Sequence, residues 1–192
     1  VPVIEAHLLE GYSEDERQRL ARALTDAACL VIPANPDAVT VMIREVPKAN
    51  YMRGGKTRTP APARSDPCDQ IRAYLAAMEA RNIGTARSML AEGFVMNFPA
   101  APGLRTLEEL IAWAKPRYRF VKKAYDNFEA FQQGQATIIY ATGTLYGEWP
   151  DGTAFENIRF IDRFEMSDGK ITRQDVWNDM AETKANLARA HN

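Results

Sequence analysis

A chain of 192 residues has room for one large domain or two small ones, and 46% hydrophobic with 26% charged residues is the balance of an ordinary soluble protein. A net charge of −1 gives no electrostatic footprint for DNA, RNA or an anionic membrane surface, so neither nucleic acid nor membrane is expected as a partner. Cys29, Cys68, His7 and His191 supply neither a disulfide framework nor a histidine-built metal site; with no signal peptide or long apolar run, the cytoplasm is the expected compartment.

Pro2 leads straight into β-formers from Val3 to Leu9, which read as a strand. If Pro2 is the first residue of the mature chain, its ring nitrogen is a secondary amine. Burial in an apolar pocket then lowers its pKa and suits it to proton transfer beside a carbonyl. If Val1 stays attached, that nitrogen is an amide without basicity. Ser13-Glu14-Asp15-Glu16 has the form of a capping box, and Leu20, Leu24, Ala27 and Val31 follow at helical spacing. The spacing predicts a helix of about five turns that Pro33 and Pro36 end. Val39 to Val46 is the second strand, parallel to the first by the right-handed crossover rule. So small a β-α-β unit cannot cover both faces of its strands, and it is expected to pack against copies of itself.

Residues 2 to 56 resemble the 4-oxalocrotonate tautomerase family. The resemblance rests on the opening Pro2, the run His7-Leu8-Leu9-Glu10-Gly11, the helix after Ser13, the strand ending Ile43-Arg44-Glu45, and the closing Asn50-Tyr51-Met52-Arg53-Gly54-Gly55. It implies that Pro2 is a catalytic general base shuttling a proton between carbons of an enol or dienol acid, and that Tyr51 lines the pocket. The two arginines that hold the family's dicarboxylate fall here on Tyr12 and Thr40, so a carboxylate has to be held by other groups. Arg44 shares the face of Thr40 four residues along its strand, and Arg53 adjoins Tyr51. Either guanidinium suits a carboxylate, and either can instead be solvated or pair with Glu45. Tyr12 could donate a hydrogen bond where the family has a cation, and His7 reads as a structural or interface residue.

From Gly54 to Asp69 prolines alternate with small and polar residues, a semi-extended linker. The expected domains are therefore 1–56 and 70–192, joined by 57–69. Ile71, Tyr74, Leu75 and Met78 predict one amphipathic helix, and Ile83, Ala86, Met89 and Leu90 a second. A short strand at Phe94 to Phe98 and a helix at Thr106 to Ala114 follow. Long strands come next, at Ala124 to Phe131, Ala136 to Trp149, Ala154 to Met166 and Ile171 to Asn178. Gln133-Gly134, Pro150-Asp151-Gly152 and Ser167-Asp168-Gly169 supply hairpin chemistry between them. The fold class is α+β: a β-α-β module, then helices packed as a cone against a curved antiparallel sheet around a cavity.

The second domain is similar, over residues 70 to 182, to the SnoaL-like and ketosteroid-isomerase-like cone fold. The matches are Ile71-Arg72-Ala73-Tyr74-Leu75-Ala76-Ala77, Phe160-Ile161-Asp162-Arg163-Phe164 and Asp168-Gly169-Lys170-Ile171. This fold hosts isomerases, polyketide cyclases, dehydratases and plain binding modules. Asp162 interrupts the apolar stripe of Ile158, Phe160, Phe164 and Met166; burial there would raise its pKa and keep a donor proton on it. In ketosteroid isomerases the matching aspartate works beside a tyrosine on an enolate oxygen, which implies Tyr74 and Asp162 here. That family's general-base position falls on Phe98. A salt bridge from Asp162 to Arg159 or Arg163 is the structural alternative. On the last strand Asp175, Trp177 and Asp179 share a face; Asp175 could replace the missing base across the pocket, and Trp177 could line or close it. Asn97, Tyr118, Tyr140 and Tyr146 are lining or core residues.

The expected function is tautomerase or isomerase chemistry on a small enolisable carbonyl compound, with Pro2 as base and Arg44, Tyr51 and Arg53 positioning the substrate. The second domain would bind or transform a related carbonyl compound through Tyr74 and Asp162. Neither chemistry requires a metal or an organic cofactor. Two alternatives stand beside it: the cone domain is the sole active or ligand-binding site, the first domain being an oligomerisation module, or the whole chain is a binding scaffold. The two resemblances together imply a homo-oligomer between a dimer and a hexamer.

Overall fold

The computed structural model describes residues 2–190; Val1 and His191, each named in an expectation above, lie with Asn192 outside the described residues. The chain divides between Arg64 and Ser65 into two units. In the first, β1 (Val3–Leu9) and β2 (Thr40–Val46) pair in parallel, from Val3 opposite Thr40 to Leu9 opposite Val46, with α1 (Glu14–Val31) between them. Ser13 starts α1 through the full capping box: the Glu16 N–H donates to its hydroxyl at 3.2 Å, and its own N–H donates to Glu16 Oε2 at 2.9 Å. Ile32, the residue before Pro33, is already extended, as the proline ring requires.

Two short strands, β3 (Met52–Arg53) and β4 (Lys56–Thr57), form a hairpin around Gly54 and Gly55, whose φ of 60° and 71° needs glycine. The stretch after it lies back on the same unit, where the Arg19 guanidinium donates to the Arg64 carbonyl at 3.0 Å. Little is sheltered here. Among the described residues of this unit only Leu9 is buried, and Leu30 and Val31 at the end of α1 are 87% and 81% exposed.

The second unit runs α2 (Pro67–Glu79), α3 (Ile83–Ser88), β5 (Leu90–Phe98), β6 (Ala101–Leu104), α4 (Leu107–Ala114), β7 (Phe120–Gln133), β8 (Ala136–Glu148), β9 (Ala154–Ser167), β10 (Lys170–Asn178) and α5 (Met180–Ala190). α2 starts inside the stretch expected as linker, because Asp66 caps it (Cys68 N–H to Oδ1, 2.8 Å) and Pro67 fills the first helical position. The six strands lie in the order β6-β5-β10-β9-β8-β7. The α+β architecture and the curved sheet are as expected, but the sheet is mixed rather than wholly antiparallel. β10 returns to pair with β5 in parallel, which a long path through α4 and the three-strand meander permits.

Curvature has identifiable causes. Register shifts between Tyr125 and Asn127 and between Leu145 and Gly147 mark bulges, which bend strands. Across from them, a Cβ on Gly143 would stand 2.0 Å from the Ala124 carbonyl oxygen, and one on Gly147 would stand 2.2 Å from that of Phe120. One core cluster joins α2, α3 and α4 to the sheet through Ile71, Leu107, Ile139, Phe164 and Ile171; another gathers Leu145, Trp149, Phe155, Ile158 and Phe160 with Met180 and Leu187 of α5. Among the described residues no helix is long and apolar enough to cross a membrane, and no three His, Cys, Asp or Glu side chains converge as metal ligands.

Candidate active site

A cavity of about 200 Å³ lies between α2, α4, β7 and β10, with apolar walls from Leu75, Met78, Phe98, Leu110, Ile111 and Val121. Helical spacing sets Tyr74 on the buried face of α2, beside Leu75 and Met78, and the tyrosine is 1% exposed. Its hydroxyl donates to Gln174 Oε1 at 3.4 Å, and its ring meets Phe164 edge-on at 6.0 Å. Burial first, and then the charge of Asp162, push the Tyr74 hydroxyl well above the ordinary phenol range, so it stays a proton donor.

Asp162 stands on β9 within the buried stripe of Ile158, Phe160, Phe164 and Met166, as its alternation predicts, and is 0% exposed. Its partner is Lys123 of β7, whose ammonium meets Oδ2 and also lies 4.5 Å from the centre of the Phe160 ring. Oδ1 has no hydrogen-bond partner among the described residues. Burial raises the carboxyl's pKa, and Lys123 opposes that rise. The arginines read as alternative partners are engaged elsewhere: Arg159 with Asp179 at 2.7 Å, Arg163 with Glu165 at 2.6 Å. A phenol held in its protonated form and a lysine–carboxylate pair beside an apolar cavity can stabilise negative charge developing on a carbonyl oxygen.

In the first unit Pro2 is half-buried at the head of β1, and its carbonyl accepts the Thr40 N–H at 3.0 Å. Arg44 lies opposite His7, four residues beyond Thr40, a shift of about 13 Å along a strand. The Arg44 guanidinium is 3.8 Å from Glu5, and Glu45 pairs with Arg17 at 3.0 Å, not with Arg44. Tyr51 is half-buried just before β3, and Arg53 is exposed within it.

Two family models match this chain: the tautomerase enzymes over residues 2–59, beginning on Pro2 itself, and the SnoaL-like domain over residues 71–174, more than half of the sequence. The chain belongs to both families. It is a tautomerase module fused to a SnoaL-like domain, an enzyme of the isomerase type. A probable tautomerase of Halalkalibacterium halodurans is 32% identical over 56 residues, 29% of this chain and 92% of that protein. The 2-hydroxymuconate tautomerase of Stutzerimonas stutzeri is 32% identical over 57 residues, 30% of this chain and 90% of that one. The fold of the SnoaL-like unit is shared by an NTF2-like protein of unknown function from Burkholderia pseudomallei. That structure has a TM-score of 0.51 and 18% identity, and the match covers 60% of this chain and 92% of that one.

Two residues expected at the SnoaL-like cavity lie on the other face of the sheet. β10 is a central strand, and its inward position is Gln174; Asp175, one residue on, faces outward by the pleat. There Asp175 is held by Arg173 at 2.8 Å, Arg163 at 3.3 Å and the Asn97 amide at 2.6 Å. Burial alone would raise its carboxyl, but these partners outweigh burial and hold it below the usual carboxylate range. It is a structural carboxylate and does not replace the missing base at Phe98. Trp177 shares that outer face and is 54% exposed, so it does not close the cavity of the SnoaL-like unit. Two groups of the SnoaL-like cavity are not legible in the sequence, Lys123 and Gln174. Lys123 sits in a Lys-Lys pair that resembles solvated charge, and it precedes the point where the strand was expected to begin.

Proposed function

We propose that this enzyme moves a proton between carbons of a small enolisable carbonyl compound, with Pro2 as the base, and that the SnoaL-like cavity binds and turns over a related carbonyl compound. The observation that carries the first half is the tautomerase match beginning on Pro2, half-buried at the head of the parallel strand pair. As a free secondary amine, Pro2 takes a proton from the hydroxyl or carbon terminus of the enol system and returns it to the other end. Tyr51 and Arg53 of the closing segment, with Arg44, hold the substrate's carboxylate. A unit that buries one side chain by itself is completed by further copies, so the pocket draws on more than one chain of a homo-oligomer, between a dimer and a hexamer. No metal or organic cofactor enters either step, and the enzyme works on a small molecule in the cytoplasm.

In the SnoaL-like unit, Tyr74 donates to the carbonyl oxygen as enolate character develops, and Lys123 with Asp162 supplies compensating charge. This cluster is assembled within one chain. That observation favours the second reading, in which the cavity is the only catalytic site and the first unit serves assembly.

The test is ketonisation of phenylpyruvate by the full chain with its native N-terminus read by mass spectrometry. Pro2→Ala is expected to lower turnover by about 10²- to 10⁴-fold, the usual worth of a positioned base. Unchanged turnover, or a mature chain that begins with Val1, overturns Pro2 as base and leaves the cavity as the catalytic site. Tyr74→Phe then discriminates the second reading by its effect on cavity turnover.

A further inference from the structure

Arg81 occupies the rim of the SnoaL-like cavity in a backbone conformation that arginine rarely adopts, with φ of 58°. Its N–H donates to the Met78 carbonyl at 3.2 Å, and the N–H of Asn82 donates to that of Ala77 at 2.8 Å. This pair of bonds closes α2 through one left-handed residue, a position where glycine is usual because it has no Cβ to crowd. Nothing about ending the helix calls for arginine there. The side chain, not the backbone, accounts for the residue.

The surroundings say what the side chain is for. The charged groups lining the cavity are Glu79, Arg81, Lys122 and Lys123, an excess of positive charge. Glu79 pairs with Lys122 at 3.6 Å, and Lys123 is committed to Asp162. Arg81 has no ion-pair partner among the described residues, although its field reaches the half-buried Tyr118 hydroxyl and opposes the rise that burial gives that phenol's pKa. One cation at the mouth is therefore free, and the walls between it and Tyr74 are apolar. A volume of about 200 Å³ falls below the roughly 300–1,000 Å³ of sites for drug-sized ligands, so the body of a ligand here is about one ring in size.

We propose that Arg81 is the anion-binding residue of this cavity, and that the ligand is a small aryl or alkyl keto acid whose carboxylate rests on Arg81 while its carbonyl reaches inward to Tyr74. The proposal rests on the reading of the cavity as a site for carbonyl compounds. It adds charge selectivity to that reading, through a residue at the rim.

The experiment titrates the full chain by calorimetry with 3-benzoylpropanoate and with its neutral methyl ester. The wild-type protein is expected to bind the acid more tightly. Arg81→Gln and Arg81→Gly are each expected to weaken the acid by about tenfold or more, the worth of a hydrogen bond to a charged group, and to leave the ester unchanged. Arg81→Gly should also raise Tm, because glycine suits the left-handed position, so its loss of binding cannot be blamed on unfolding. Equal affinities for acid and ester, or an equal loss of both in the variants, overturn the role of Arg81 and leave the cavity as a carbonyl site. If neither compound binds the wild-type chain, the cavity reading falls together with the proposal.

Discussion

The ammonium of Lys123 on β7 reaches across β8 to the carboxylate of Asp162 on β9, and the small side chain of Ala141, directly opposite Asp162, leaves the space it crosses. The aspartate is fully buried, and the lysine side chain is 20% exposed. A charge in such a place is tolerable only with its partner.

Lys123→Met is therefore expected to cost about 3–5 kcal/mol, because it strands a buried carboxylate, while Lys123→Met with Asp162→Leu should recover most of that loss. Urea unfolding of the two single variants and the double variant measures the coupling. Additive effects would mean that the pair is incidental. The pH dependence has a definite sign. Burial raises the Asp162 carboxyl in the folded state, so the fold holds that proton more tightly than the unfolded chain does. Asp162 thus costs stability as pH climbs above the free value of 3.8 toward its folded pKa.

Asp175 works in the opposite direction. Its folded pKa is depressed, so its contribution is present above the free value of 3.8 and is lost as pH falls through the folded pKa. Asp175→Asn should flatten the acid limb of a Tm-against-pH curve measured between about pH 5 and pH 2. A limb as steep as in the wild type would place the acid sensitivity in other carboxylates.

Much of the fold could be read from alternation and caps: the capping box at Ser13, the apolar stripe that exposes Asp162 as an anomaly, and the hairpin turns between the long strands. What stayed hidden was non-local. Which face of β10 turns inward depends on its pairing with β5 and β9, so the sequence alone does not distinguish Gln174 from Asp175 as the inward residue. Lys123 acquires its role only when β8 brings it to a carboxylate 39 residues away in sequence. α5 went unread because its apolar residues are sparse, and it is held by Met180 and Leu187 against a cluster formed by other strands.

Gly143→Ala should unfold the second unit, since the new methyl would stand 2.0 Å from a backbone oxygen that cannot move without breaking the β7–β8 ladder. A loss above about 4 kcal/mol is expected. Gly54→Ala, with open space around it and only a φ of 60° against it, should cost about 1 kcal/mol. Thermal melts of both variants check the contrast.

Leu30 and Val31 test the assembly of the first unit. On an isolated chain, replacing side chains 87% and 81% exposed with lysine should change stability by less than about 0.5 kcal/mol each. If copies pack against this end of α1, the double variant should lose mass in sedimentation equilibrium and melt earlier. Unaltered mass would move the contact to another face.

β10 is the last strand made and one of the innermost, seated between β5 and β9. On the ribosome, β1, α1 and β2 have all emerged long before, while β5 must wait with an open edge until Lys170–Asn178 arrives. At about 5–20 residues per second that interval lasts some seconds, and a nascent chain stalled within it presents a sticky margin to its neighbours. A stop codon placed just before Lys170 should therefore give inclusion bodies.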